Sequence, residues 1–135
     1  MQVTLTSFGF QNGKPPDTPF ILDAREITNP HHNKALRSLT GKQVDVQVEV
    51  ISHPKAAELM HKVFRFVESA EDQDAERIDV AIGCTRGRHR SVALVEMVAT
   101  RLATRGYHVI KRHRDLVRDE LAEMANEAQV QGEYR

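Results

Sequence analysis

The chain has 135 residues, 40% of them hydrophobic and 28% charged, and its nineteen Lys and Arg are balanced by nineteen Asp and Glu. That composition fits one soluble globular domain large enough for a real core. With no apolar run of membrane-span length, no basic and apolar leader at the N-terminus and a single Cys, a spanning segment, a signal peptide and an internal disulfide framework are all excluded. A reducing, cytoplasmic setting is therefore expected. Residues 1–128 are expected to form one domain, and 129–135 a flexible tail.

Taken in order, Val3, Leu5, Phe8 and Phe10 predict an opening strand, and the Gly-, Pro- and Asp-rich residues 11–19 a loop. Phe20, Ile21 and Leu22 predict a second strand, with Asp23 and Arg25 at or just beyond its end. Asn29-Pro30-His31-His32-Asn33 is a polar loop, and Asn33 can cap a short helix through Leu36. Val44, Val46, Val48 and Val50 alternate with polar residues, which by pattern is a strand, although a short helix could also carry the stretch. Pro54 starts a helix, its missing N–H costing nothing in the first turn. Ala56, Leu59, Met60, Val63, Phe64 and Val67 form that helix's apolar face. Residues 68–77 read as a charged linker.

Ile78, Val80, Ala81 and Ile82 then predict a strand ended by Gly83. From Val92 onward Val95, Ala99, Leu102 and Ala103 recur at helical spacing, up to Gly106 at the helix end. Tyr107, Val109 and Ile110 predict a last strand, followed by Lys111-Arg112-His113-Arg114-Asp115. A final helix carrying Leu116, Val117, Leu121 and Met124 is expected to fray before Gln129. The fold class is α/β: a mixed or mostly parallel sheet flanked by helices, around a strand–phosphate-loop–helix core. The strand–helix–strand order implies parallel strands and a right-handed crossover. In such sheets ligands bind at the C-terminal ends of the strands. The loop at residues 84–90, the Lys111–Arg114 run and the Asn29–His32 loop are expected to meet there.

The chemistry concentrates in Cys84-Thr85-Arg86-Gly87-Arg88-His89-Arg90-Ser91. A helix N-terminus offers unpaired N–H groups and a positive dipole end. Three arginines add forked donors for phosphate or carboxylate oxygens. Residues 84–118 hold nine Arg or Lys against Glu96 and Asp115, whereas 119–135 hold five acids against Arg135 alone. The middle is thus the anion-binding region and the tail is not. Candidate ligand contacts are Cys84, Thr85, Arg86, Gly87, Arg88, His89, Arg90 and Ser91, joined by Arg25, Asn29, His31, Arg112, His113 and Arg114.

Two readings compete for this loop. In the first, it binds the anion of a phosphorylated small molecule or other oxyanion without catalysis. In the second, Cys84-x5-Arg90 has the spacing of cysteine-dependent phosphatases, with Cys84 as nucleophile and Arg90 holding the equatorial oxygens. That chemistry also needs a general acid, and none of Asp17, Asp23 or Asp115 is assigned the role by its position. Binding is the preferred reading. His31, His32, His89 and His113 lack zinc-type spacing, so neither a metal nor a cofactor is expected.

Several of these segments together resemble the C-terminal domain of the RNase adapter protein RapZ. They are Phe8-Gly9-Phe10, Asp23-Ala24-Arg25 leading to Asn29-Pro30-His31, Leu39-Thr40-Gly41, the block from Val80 to Ser91, and Arg112-His113-Arg114-Asp115-Leu116. They come in family order over residues 3–118. The resemblance implies an α/β domain that binds glucosamine 6-phosphate, with contacts at His31, Thr85, Gly87, His89 and Arg90. It also implies a regulatory role in small-RNA binding and RNase recruitment. The partners expected are thus a phosphorylated small molecule, structured RNA bound weakly, and a protein or second copy of the chain, with no membrane.

The chain departs from that family in three places. It has no Gly-x4-Gly-Lys-Ser/Thr nucleotide loop, Arg86 stands where the family has the first glycine of a pair, and Asp119, Glu120, Glu123 and Glu127 replace a basic tail.

Overall fold

Alternation along the first eight residues decides the two faces of the sheet. In the computed structural model, which describes residues 1–133 without the side chains of residue 123 and residues 126–133, strand β1 is Gln2–Gly9. Val3 and Leu5 point into the hydrophobic core, while Thr4 and Thr6 line a groove on the opposite side. The other strands are β2 (Phe20–Asp23), β3 (Arg77–Cys84) and β4 (His108–His113). Their order is β2-β3-β1-β4 and every pairing is parallel. The parallel α/β class expected from the pattern is therefore what forms. The pair flanking the central helix is not adjacent, however, because β1 lies between β3 and β4.

Four helices complete the chain: α1 (Val44–Ile51), α2 (Pro54–Asp72), α3 (Arg90–Thr104) and α4 (Leu116–Glu133). Pro54 is the first residue of α2, and the His53 ring accepts a hydrogen bond from the Lys55 N–H at 3.1 Å. All six predicted apolar residues of α2 are buried. Helix α3 is apolar on most of its circumference, with Val92, Ala93, Leu94, Val95, Val98 and Leu102 fully buried. All of these but Val92 share one core with α1, α2 and the inward residues of β1 and β3.

Residues 44–50 take the helical alternative rather than the strand that their alternation suggests. Val46 and Val50, one helical turn apart, are fully buried, while Val44 and Val48 are 69% and 60% exposed. A strand would have sent all four valines to the same side. Valine loses at most about 0.7 kcal/mol against alanine in a helix, whereas burying one gains about 1.5–3 kcal/mol. Packing of two valines outweighs the propensity of four.

Three further expectations change. The basic run after Ile110 does not start a loop, since Lys111, Arg112 and His113 are the last residues of β4. Of the apolar residues predicted for α4, only Leu116 is buried, and Val117, Leu121 and Met124 are about 60% exposed. The helix also passes Gln129 and continues to Glu133. Residues 134–135 of the expected tail lie outside the described residues. No described helix is long and apolar enough to cross a membrane.

Val46→Ala should lower unfolding free energy by about 2 kcal/mol, through lost burial and the cavity left behind. Val48→Ala, in solvent on the same helix, should be neutral or stabilising by a few tenths of a kcal/mol. Urea denaturation of both variants checks this. A strand-like response, with equal losses at both positions, would contradict the helix.

Candidate functional site: an arginine-lined cradle at the β3–α3 junction

β3 ends at Cys84 and α3 begins at Arg90, so five residues make the whole turn. Gly87 holds the apex at φ +75°, and a Cβ there would stand 2.7 Å from the Gly9 backbone nitrogen. Only glycine suits that conformation and that close approach. The loop thereby lies against the end of β1, where Gly9 pairs with Cys84. The junction sits at the C-terminal edge of the parallel sheet.

Asn29, His31, Cys84, Arg86, Arg88, His89 and Arg90 enclose a cavity of about 10 Å3, the room of roughly one water molecule. The Asn29 side chain accepts a hydrogen bond from the His31 N–H at 3.1 Å, fixing the turn that brings the His31 ring within 6.2 Å of the His89 ring. The Cys84 thiol is 98% buried and lies 3.1 Å from the Ser91 hydroxyl. No carboxylate lines this cavity.

The three arginines do different work. Arg90 donates through Nη1 to the carbonyls of Arg25 and Ile27 at 3.1 and 3.0 Å, and through Nη2 to the Thr85 hydroxyl at 3.2 Å. Its Nε–H, fully buried, has no partner among the described residues. Arg88 is equally buried and donates to the carbonyls of Ser38 and Leu39. Arg86 reaches outward. Both Arg86 and Arg88 also donate to the carboxylate of Asp119 on α4.

His89 is 4% exposed and its Nε2 has no hydrogen-bond partner among the described residues. Burial, followed by the charge of Arg88, pushes its pKa from 6.5 down to about 4. The ring is therefore neutral at physiological pH.

The remaining candidates lie elsewhere. Arg25 is exposed, paired with Asp23 and stacked over the Phe10 ring at 4.0 Å; only its backbone carbonyl touches Arg90. The Asp23 carboxyl is held below its usual range by that Arg25 hydrogen bond. His113 turns inward, its Nδ1 2.7 Å from the Ser7 hydroxyl and its Nε2 3.8 Å from Glu96. Burial lowers its pKa while Glu96 opposes the shift. Arg112 and Arg114 face the other side of the sheet, lining a groove of about 360 Å3 with Thr4, Thr6, Asp17 and Asp79. The basic run is divided by strand alternation and does not gather at the cradle.

Two residues that the sequence reading did not count among the ligand contacts are central here. Asp115 accepts the Gly9 N–H at 2.7 Å and pairs with Arg114, tying the end of β4 to the end of β1. Asp119 ties α4 to Arg86 and Arg88. The readable signal for both was an acid set within or one turn after an arginine-rich run. Among the described residues no three His, Cys, Asp or Glu side chains are placed to hold a metal ion.

The model of the RapZ C-terminal domain matches residues 1–117. This chain belongs to that family. Similar curated relatives include nucleotide-binding proteins of a Nocardioides species (41% identical over 123 residues, 88% of this chain and 41% of the relative), of Alcanivorax borkumensis (40% over 121, 86% and 43%) and of Thermotoga petrophila (39% over 118, 84% and 42%). The chain thus spans about two fifths of the length of these relatives.

His89 also makes a pH signature. Its folded pKa of about 4 lies below the ordinary 6.5, so between those values the unfolded chain binds the extra proton. Stability must therefore fall as pH drops from about 6.5 to about 4. Urea midpoints across that window should decline less steeply in His89→Asn than in the wild type. NMR titration of the ring, showing it neutral until near pH 4, is the direct check.

Proposed function

We propose that the cradle between β3 and α3 binds the phosphate of a phosphorylated small molecule, with no chemistry performed on it. The observation that carries this reading is the pair of buried donors and acceptors, Arg90 Nε and His89 Nε2, left without protein partners in one arginine-lined cavity. Buried polar atoms in native proteins are nearly always satisfied, and leaving one unmade costs about 1–3 kcal/mol. The N-terminus of α3 adds its unpaired N–H groups and positive dipole end. An oxyanion accepts from the Arg90 Nε–H and the helix N–H groups, and a donor group of the same ligand meets the neutral His89 Nε2.

A phosphorylated amino sugar such as glucosamine 6-phosphate is the preferred ligand. The residues that the family resemblance assigns to it, His31, Thr85, Gly87, His89 and Arg90, stand around this one turn, and His31 faces His89 across the cavity. Neutral His89 suits a ligand hydroxyl or ammonium beside the phosphate. The relatives' designation as nucleotide-binding belongs to proteins more than twice as long, and the present chain has no glycine-rich Lys-Ser/Thr loop to cradle a triphosphate.

Two other readings are less well supported. A cysteine phosphatase needs an exposed thiolate and a nearby acid. Cys84 is buried against Ser91, and Asp23 and Asp115 are engaged by Arg25, Arg114 and the Gly9 N–H. A broad RNA surface needs its cations on one face. Arg101 and Arg105 lie by the Phe64 ring on the helical side, whereas Arg112 lies on the opposite face of the sheet.

Calorimetric titration tests the proposal with inorganic phosphate, glucosamine 6-phosphate, glucosamine and ATP. Glucosamine 6-phosphate should bind most tightly and glucosamine not measurably. Arg90→Ala should weaken phosphate binding at least tenfold, about 1.4 kcal/mol or more. Cys84→Ser should retain binding, and the wild type should not turn over an aryl phosphate between pH 5 and 8. Unchanged affinity in Arg90→Ala, or turnover lost in Cys84→Ser, would overturn the reading.

A further inference from the structure

Among the described residues, Asp119 is the one carboxylate bonded to the cradle's arginines. One of its oxygens accepts from Arg86 Nε and Nη2 at 2.9 and 2.5 Å, and the other from Arg88 Nη1 at 2.7 Å. The carboxylate is 9% exposed, so the pairing is shielded from solvent. Two of the three positive charges expected to attract an anion therefore already share one. Asp119 lies two residues beyond the part of the chain that the family model matches.

The two pairings are not equal. Arg88 is 3% exposed and is also fixed by the carbonyls of Ser38 and Leu39. Arg86 is 41% exposed, and Asp119 takes the guanidinium hydrogen bonds that the structure gives it. Arg86 also stands between two spaces. On one side is the small cavity of the cradle. On the other is an open groove of about 250 Å3 bounded by Gln11, Asn12, Arg118, Asp119 and Ala122. A cavity of about 10 Å3 has no room for the organic part of a phosphate ester, whereas the groove of about 250 Å3 has.

Helix α4 is docked lightly enough to yield. Leu116 is its one fully buried apolar side chain among the described residues, and Val117, Leu121 and Met124 face solvent. We propose that Asp119 is the resident anion of the cradle and its gate: a phosphate ester binds by taking Arg86 from the Asp119 carboxylate, which joins the cradle to the groove beside Gln11 and Asn12. This deepens the oxyanion reading of the site and rests on it. Asp119 thus sets which anions enter. A weakly charged ligand loses to the carboxylate, and a dianionic phosphate displaces it.

The test is calorimetry of inorganic phosphate on the full 135-residue chain, wild type against Asp119→Asn, with thermal melts to verify folding. The amide keeps the shape and removes the competing charge, so Asp119→Asn should bind phosphate roughly tenfold more tightly. Equal or weaker binding by a folded Asp119→Asn overturns the gate and leaves the cradle standing. If neither protein binds phosphate, cradle and gate fall together. A second readout needs no variant. Saturating phosphate should raise amide hydrogen exchange over residues 119–122 of the wild type as the body of the helix is released. Unchanged or slower exchange there overturns the gate even if Asp119→Asn does not fold.

Discussion

The structure turns on a buried guanidinium. Arg90 opens α3 inside the protein, and among the described residues no carboxylate lies within ion-pair distance of it. Its charge is met instead by the carbonyls of Arg25 and Ile27 and by the Thr85 hydroxyl. Charge-assisted hydrogen bonds of this kind contribute about 1.5–3 kcal/mol each, while an uncompensated buried charge costs several. The loop after β2 must therefore close over the head of α3. Arg88 binds the 38–39 segment in the same way. Two irregular segments, distant in sequence, owe their positions to these two side chains, and the cradle's walls follow from them.

The sheet order supplies the other half of the geometry. With β1 inserted between β3 and β4, the ends of all three strands come to one edge. Gly9 pairs with Cys84 on one side, and its N–H is taken by the Asp115 carboxylate from the other. The loop at 85–89 then rests on Gly9 through Gly87, without side chains between them. The floor of the cradle is thus backbone packed on backbone, and the side chains of Arg88 and Arg90 hold its walls and lend it charge.

The cradle was legible in the sequence because its information is local. A strand ending in Gly83 and Cys84, a glycine-broken turn and an apolar helical stripe from Val92 place the arginines and His89 at a helix N-terminus with no tertiary knowledge. What failed to read was whatever depended on neighbours in space. Lys111–Arg114 was expected to converge on the cradle as a block; being a strand, it sends His113 to Ser7 and Arg112 to the opposite face. Val44–Val50 has the period of a strand, yet α1 has a core face only two valines wide and the helix wins. The insertion of β1 between β3 and β4 has no sequence signal, because local pattern does not specify strand order. Asp119 was read as one charge of an acidic tail, whereas its partners lie more than thirty positions away.

That pairing also connects two departures from the family pattern which, taken separately, look unrelated. Arg86 is a cation, and Asp119 an acid, at the two places where the sequence reading saw the chain leave the pattern of the family it resembles. The structure bonds one to the other. A second cation beside Arg88 at the mouth of the cradle would repel it, and a carboxylate beyond β4 relieves that repulsion. The base of α4 is not part of this exchange, since Asp115 holds Gly9 and Leu116 is buried whatever Asp119 does. Any release of Asp119 would thus be confined to the helix beyond its first residues. One pair of residues, Arg86 and Asp119, sets a positive charge at the cradle and the negative charge bonded to it, at the junction of α4 with the β3–α3 turn.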